Sequence, residues 1–258
     1  MNPSIVIIGI GELGGVFAKA FLRNGHPVYP VTRAMNMIEA ADQLPDPQLV
    51  LVAIAEKDFH PAMDTIPDQW RSRLVLLQNE LLPRDWEAHG IANPTVISVW
   101  FEKKKGMDCH VLKPSPVYGP NARVMAESLA KIDIPCKILT SEDGLVFELV
   151  LKNVFVFTIN IAGLVLADGT TTSTLWQKHQ KLALDVADNI IDLQEHATGK
   201  IFSRERIKKG LPAGIQGDPD HKCRGRSAQG RLTRAVKQAD DAGLKIQTIR
   251  DIFKSLSG

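Results

Sequence analysis

The sequence predicts an α/β chain, with an N-terminal doubly wound parallel sheet over residues 1–140 and an all-helical domain over residues 141–258. Three observations predict it. Short runs of apolar, β-branched residues alternate with segments of helical period as far as Leu139, the pattern of a parallel sheet covered on both faces. The first of these runs breaks into closely spaced glycines that open onto a helix. Beyond Leu139 no strand-like run follows, only long segments of helical period.

The first run is Ser4-Ile5-Val6-Ile7-Ile8, and Gly9-Ile10-Gly11-Glu12-Leu13-Gly14-Gly15 follows it, leading into the helical pattern of residues 16–22. Strand, then Gly-x-Gly-x-x-Gly, then helix is the context in which this motif means a dinucleotide site. Gly9 permits the tight turn, Gly11 removes a side chain where a pyrophosphate must approach, and Gly14 lets helix and strand pack closely. The helix N-terminus offers its N–H groups to the phosphates, and Glu12 and Leu13 belong to the same cofactor-binding turn.

Asn24-Gly25-His26 stops the helix, and residues 27–33 form the second strand, its two prolines marking frayed ends. A carboxylate closing this strand would hold the ribose of NAD, whereas an arginine accommodates the 2′-phosphate of NADP. The strand ends in Thr32-Arg33 with no carboxylate before Glu39, so NADP is the expected cofactor and Arg33 the residue that selects it.

Residues 48–55, 73–79 and 95–101 read as buried strands, with a short helix at 58–66. Sheets of this kind bind ligands beyond the carboxyl ends of their strands, here Gly9, Arg33, Ala55, Asn79 and Phe101. Residues 102–106 read as a solvated turn, and Val111-Leu112 with residues 116–120 as a hairpin-like addition that closes the sheet. A helix at 121–131 and a strand at 136–139 complete the first domain.

Ser141-Glu142-Asp143 is a helix start, leading into an apolar segment at 145–167 long enough to span a bilayer. Glu148, Lys152, Asn153 and Asn160 would be costly in lipid, so a helix buried in protein is expected and no membrane partner. A single long helix follows at 173–196, with Leu175, Leu182, Val186, Ile190 and Leu193 as its buried stripe and Gly199 as its stop. Residues 208–230 are polar and glycine-rich, and helices are expected at 227–242 and 246–256.

At 258 residues with 44% hydrophobic and 23% charged side chains, the chain can build one large or two modest cores. A formal charge of +2 argues against a nucleic-acid partner. Cys109, Cys136 and Cys223 are far apart and odd in number, which fits free thiols in a reducing compartment and a cytoplasmic location, and no basic leader precedes the first apolar run. His221 and Cys223 are close in sequence, but two potential ligands do not make a metal site, and none is expected.

Lys152 is the candidate for chemistry. An ammonium inside the most apolar helix of the chain is expensive unless it is paired or faces a cleft. Glu148, four residues earlier, offers an ordinary i,i+4 ion pair as a purely structural account. Asn160 lies two turns on, roughly 80° around the helix, so the two share a polar stripe suited to a cleft between the domains.

On these motifs the chain resembles the ketopantoate reductase family, within the wider 6-phosphogluconate-dehydrogenase-like class that joins a Rossmann domain to a helical one. The resemblance rests on Gly9 to Gly14, on Arg33, on Gln78-Asn79, on residues 148–152 followed by Ile159-Asn160, and on Tyr118-Gly119-Pro120. Gly230-Arg231-Leu232 and Ala242-Gly243-Leu244 match its last helix and turn. It implies reduction of a 2-oxo acid by NADPH, with Lys152 as general acid, Asn79 near the nicotinamide ribose and Asn160 on the substrate.

The chain departs from the family at Val156, where an asparagine is usual, and at Ala55, in place of a lysine, with Lys57 two residues on. Arg224 takes the position of a substrate-binding glutamate, in a basic stretch that reaches Ser227. Arg224 and Ser227 therefore join the substrate set, and the change of charge points to a more acidic small-molecule substrate. Two further readings share the plan: a reductase of imines, which needs no acid such as Lys152, and an NADP-binding sensor or regulatory protein without turnover. The long apolar helices are compatible with a homodimer.

Overall fold

The structure, a computed structural model, describes residues 2–257. The chain folds as two compact units, Met1–Glu148 and Leu149–Gly258.

The first unit begins with β1 (Ile5–Ile8), α1 (Glu12–Arg23), β2 (Val28–Val31), α2 (Met37–Gln43), β3 (Leu49–Val52), α3 (Phe59–Met63), α4 (Asp68–Arg71), β4 (Leu74–Leu76), α5 (Pro83–Glu87) and β5 (Thr95–Ile97). It continues through β6 (Phe101–Glu102), β7 (His110–Val111), β8 (Ser115–Tyr118), α6 (Ala122–Ala130) and β9 (Cys136–Ile138). Seven strands form one sheet in the order β2-β1-β3-β4-β5-β8-β9. β1, β3 and β4 are wholly buried, which is why they are apolar at every position instead of alternating. Pro30 is accommodated because β2 is an edge strand, pairing only with β1.

The sheet is not parallel throughout. β8 runs antiparallel to β5, with Val96 opposite Tyr118 and Ile97 opposite Val117, whereas β9 is parallel to β8. The physical reason lies in the connection. A parallel return needs a crossover, usually helical, and the chain between β5 and β8 holds only the small antiparallel pair β6–β7. Residues 95–101, read as one strand, are accordingly split: β5 stops at Ile97, and Phe101 opens β6.

The helical part comprises α7 (Glu142–Gly163), α8 (Thr172–Lys178), α9 (Gln180–Thr198), α10 (Arg204–Gly217), α11 (Ala228–Ala242) and α12 (Gln247–Ser257). α7 starts at Glu142, and the first compact unit ends about two turns along it, at Glu148. Among the described residues α7 is the one helix long and apolar enough to cross a membrane, and 83% of its most apolar stretch is buried within the protein. In the second unit α9 is the hub, packing on α8, α10, α11 and α12 through Ala183, Val186, Ala187, Ile190 and Ile191. Leu182, expected on that stripe, is only half-buried.

One expectation is corrected here. The single helix at 173–196 is two, broken at His179, whose φ of −131° and ψ of 31° leave the helical region. The glycine-rich stretch from residue 208 is helical as far as Gly217, the end of α10, despite Pro212 inside it. Ser203 starts this helix by accepting a hydrogen bond from the Arg206 N–H, and Gly210 serves packing: a Cβ there would lie 2.8 Å from a Leu151 methyl on α7.

All three thiols are free. Burial pushes Cys136 up to about 12 and Cys223 up to about 11, and raises Cys109 despite the lysines near it.

Candidate functional site

The order β2-β1-β3 places a topological switch point beside β1, where the chain leaves the sheet through Gly9. The three motif glycines then serve three different ends. Gly9 has φ +90°, and a Cβ on it would lie 2.6 Å from the carbonyl oxygen of Ala53, just past the end of β3. A Cβ on Gly14 would lie 2.2 Å from the carbonyl oxygen of Gly9, so helix and turn touch backbone to backbone. A Cβ on Gly11 would meet nothing within 4 Å. Gly9 and Gly14 are thus required by the fold, and Gly11 is not. Gly11 is also the N-cap of α1, and no side chain caps that helix end. Its first-turn N–H groups keep the polarity that suits a phosphate.

Leu13 turns toward the core, while Glu12 forms an ion pair with Lys103 at 3.6 Å. A cleft of about 410 Å³ adjoins this turn, lined by Ile10, Gly11, Glu12, Lys19, Lys103 and Cys109 among others.

Arg33 and Asn79 emerge at the same carboxyl edge of the parallel strands. The Arg33 side chain is 92% exposed and donates to Asp58, just after β3, at 3.1 Å. Asn79 donates its Nδ2 to Glu56 Oε1 at 2.8 Å, and Gln78 donates to the Val52 carbonyl at 2.7 Å. These amides stitch the ends of β3 and β4 and fix the orientation of Asn79. Glu56 and Asp58 are the partners that the sequence motif did not reveal.

Further along the same unit, Lys113 Nζ sits 4.1 Å from the Trp100 ring centroid and 3.6 Å from Glu148 Oε2. Burial lowers the proton affinity of Lys113, and Glu148 opposes that shift. Glu148 therefore turns to Lys113, where the helix spacing had suggested Lys152.

In the second unit Lys152 is 9% exposed, Asn153 donates to Gln194 Oε1 at 2.9 Å, and Asn160 is 4% exposed. Asn160 Oδ1 accepts from Arg231 Nη1 at 2.6 Å, and its Nδ2 donates to the Cys223 carbonyl at 3.1 Å. Arg224 donates to the Leu164 carbonyl at 2.8 Å, complementing the C-terminal end of α7. Ser227 is exposed at the start of α11, and its carbonyl accepts the Arg231 N–H. Of the proposed substrate set, only Asn160 is therefore held beside a buried cation, and that cation is Arg231. Sequence reasoning passed over it, although Arg231 falls on the stripe of Ala228, Leu232, Ala235 and Ala239, where a charge signals a role.

No family model matches the chain, and no curated protein matches it by sequence. Solved structures do. The 2-dehydropantoate 2-reductase of Methylococcus capsulatus superposes with a TM-score of 0.71 at 13% identity, over 98% of this chain and 96% of that one. A probable 2-dehydropantoate 2-reductase of Bacillus subtilis gives 0.67 at 15% identity, over 98% and 99%. D-mandelate dehydrogenase in complex with NADH gives 0.66 at 10% identity, over 97% and 96%. The chain has the fold of the ketopantoate reductases over nearly its whole length.

Proposed function

We propose that this protein is an NADPH-dependent reductase of a small carbonyl compound, a 2-oxo acid, with residues 1–140 holding the cofactor and residues 141–258 the substrate. The observation that carries the reading is the division of labour among the glycines: two are demanded by backbone packing, and the third keeps open space at an uncapped helix N-terminus. Such a turn accepts a pyrophosphate. Solved proteins of this fold are named as reductases and a dehydrogenase, which supports oxidoreductase chemistry.

Gly9, Gly11, Glu12, Leu13 and Gly14 would cradle the pyrophosphate, Arg33 the 2′-phosphate, and Asn79 the nicotinamide ribose. The cofactor, when bound, supplies the hydride. Lys152 is the proton donor to the carbonyl oxygen, its ammonium also stabilising negative charge as that oxygen develops it. Asn160, oriented by Arg231, would contact the substrate. A second reading, an NADP-binding protein without turnover, is favoured by the engagement of both polar ends of Asn160 within the protein.

Titration with NADPH and NADH, followed by fluorescence, tests the cofactor assignment. Arg33→Ala is expected to weaken NADPH binding roughly 10- to 100-fold, as for a lost charge-assisted hydrogen bond, and to leave NADH unchanged. Equal loss for both nucleotides would make Arg33 a loop charge serving Asp58, and binding of neither would remove the enzymatic reading.

A further inference from the structure

We propose that Lys103 is a further cofactor-binding residue, the cation for the pyrophosphate, and that the Glu12 carboxylate is the internal partner it gives up when the nucleotide enters. The inference deepens the reading of the glycine turn as a dinucleotide site and rests on it. Glu12 opens α1 directly after Gly11, at a helix end that no side chain caps. A carboxylate in the first turn suits the helix for the same reason that a phosphate does, since both answer the positive end of its dipole. Beside a bound pyrophosphate the same carboxylate is a like charge. The Glu12 backbone serves the turn, and its side chain opposes the ligand unless a cation stands between them.

Lys103 is placed to be that cation. Its Nζ lies 3.6 Å from Glu12 Oε2, and both residues line the cleft of about 410 Å³ beside the glycine turn, together with Gly11 and Lys19. Backbone holds the ammonium from behind. It donates to the Lys104 carbonyl at 3.1 Å and to the Met107 carbonyl. The two carbonyls meet one ammonium because residues 104–107 form a tight turn. The Met107 N–H closes that turn on the Lys104 carbonyl at 3.1 Å, and Gly106 supplies the φ of +77° it requires. An ammonium has three N–H donors, and two are spent here, so the third faces Glu12 across a gap longer than a hydrogen bond. A side chain held in this way gives up less rotamer freedom on meeting an anion than a free lysine does.

The formal charges lining the cleft cancel, Lys19 and Lys103 standing against Glu12 and Asp108. Burial raises the proton affinity of Cys109 in the same cleft, and Lys103 and then Lys19 oppose that rise, so the field of both ammonium groups reaches the space. Loss of the Glu12 charge would leave the lining net positive.

The test is a fluorescence titration with NADPH and NADH at low ionic strength, where exposed charges are least screened. It compares wild type, K103M, E12Q and K103M/E12Q, each checked for folding by a thermal melt. K103M is expected to weaken both nucleotides alike, about tenfold, because both carry the pyrophosphate. E12Q is expected to tighten both about threefold. The double variant separates direct contact from neutralisation of a neighbour. A lysine that meets the ligand still costs about tenfold against E12Q, whereas one that only cancels Glu12 costs nothing once that charge is gone.

A double variant that binds as tightly as E12Q overturns the proposal. So does a loss in K103M confined to one nucleotide, or an E12Q protein that binds no more tightly than wild type. Should K103M not fold, K103Q, which keeps an N–H donor for the turn carbonyls, is judged by the same outcomes. Wild-type protein that binds neither nucleotide fails the cofactor reading and the inference with it, whereas binding indifferent to Lys103 fails the inference alone.

Discussion

Lys152→Met is expected to lower kcat for 2-oxo acid reduction by roughly 10²- to 10⁴-fold, the usual contribution of a positioned proton donor. Lys152 is 9% exposed within an apolar helix, and methionine replaces its stem with similar volume. Loss of turnover without loss of stability separates chemistry from folding, which a truncation to alanine would confuse. The assay is NADPH oxidation over a panel of 2-oxo acids, with a parallel thermal melt. Turnover that survives in Lys152→Met would point to an iminium substrate, which already carries its proton. A wild-type protein that binds NADPH and oxidises it with no carbonyl would favour the sensor reading.

The second large effect concerns the glycine turn. Gly9→Ala combines φ +90° with a 2.6 Å approach to the Ala53 carbonyl oxygen, and is expected to destabilise the fold by about 3 kcal/mol or more. Gly14→Ala would drive its Cβ to 2.2 Å from the Gly9 carbonyl oxygen, an overpacking against backbone worth about 1–3 kcal/mol. Gly11→Ala meets nothing, so its folding cost should stay within about 0.5 kcal/mol. Its NADPH affinity should nevertheless fall at least about tenfold, because a methyl group would stand where the pyrophosphate must come close. Urea unfolding and NADPH titration on the three variants measure both sides. A Gly11→Ala protein that binds as wild type would mean the cofactor does not use this turn.

Much of the first unit was legible because local pattern and tertiary role agree there. β1, β3 and β4 are apolar at each position, as strands covered on both faces must be, and the glycines mark their own turn. The antiparallel return of β8 was not legible, because direction depends on whether the intervening residues 98–114 build a helix, and short runs such as Val111-Leu112 do not announce their partners. α10 was missed because Gly210, Pro212 and Gly214 are local breakers, whereas tertiary packing, Gly210 against Leu151, holds the helix. At the site, the spacing from Glu148 to Lys152 was visible but misleading, since the partner of Glu148 is Lys113, on the segment that leads into β8 and far upstream in the chain. Arg224 and Arg231 looked alike in a basic stretch, and only burial separates the cation at the end of α7 from the one held against Asn160.

The burial of the cysteines has a consequence for chemistry outside any active site. Thiols react as thiolates, and values pushed up to about 12 at Cys136 and about 11 at Cys223 leave thiolate fractions near ~10⁻⁵ and ~10⁻⁴ at neutral pH, against a few per cent for an ordinary cysteine. Electrophiles and peroxide are therefore slowed about a thousandfold or so toward both side chains while the chain is closed. Cys136 belongs to the unit Met1–Glu148 and Cys223 to the unit Leu149–Gly258. Cys223 is buried outright, so its alkylation proceeds mainly through opened forms and reports the breathing of the unit Leu149–Gly258.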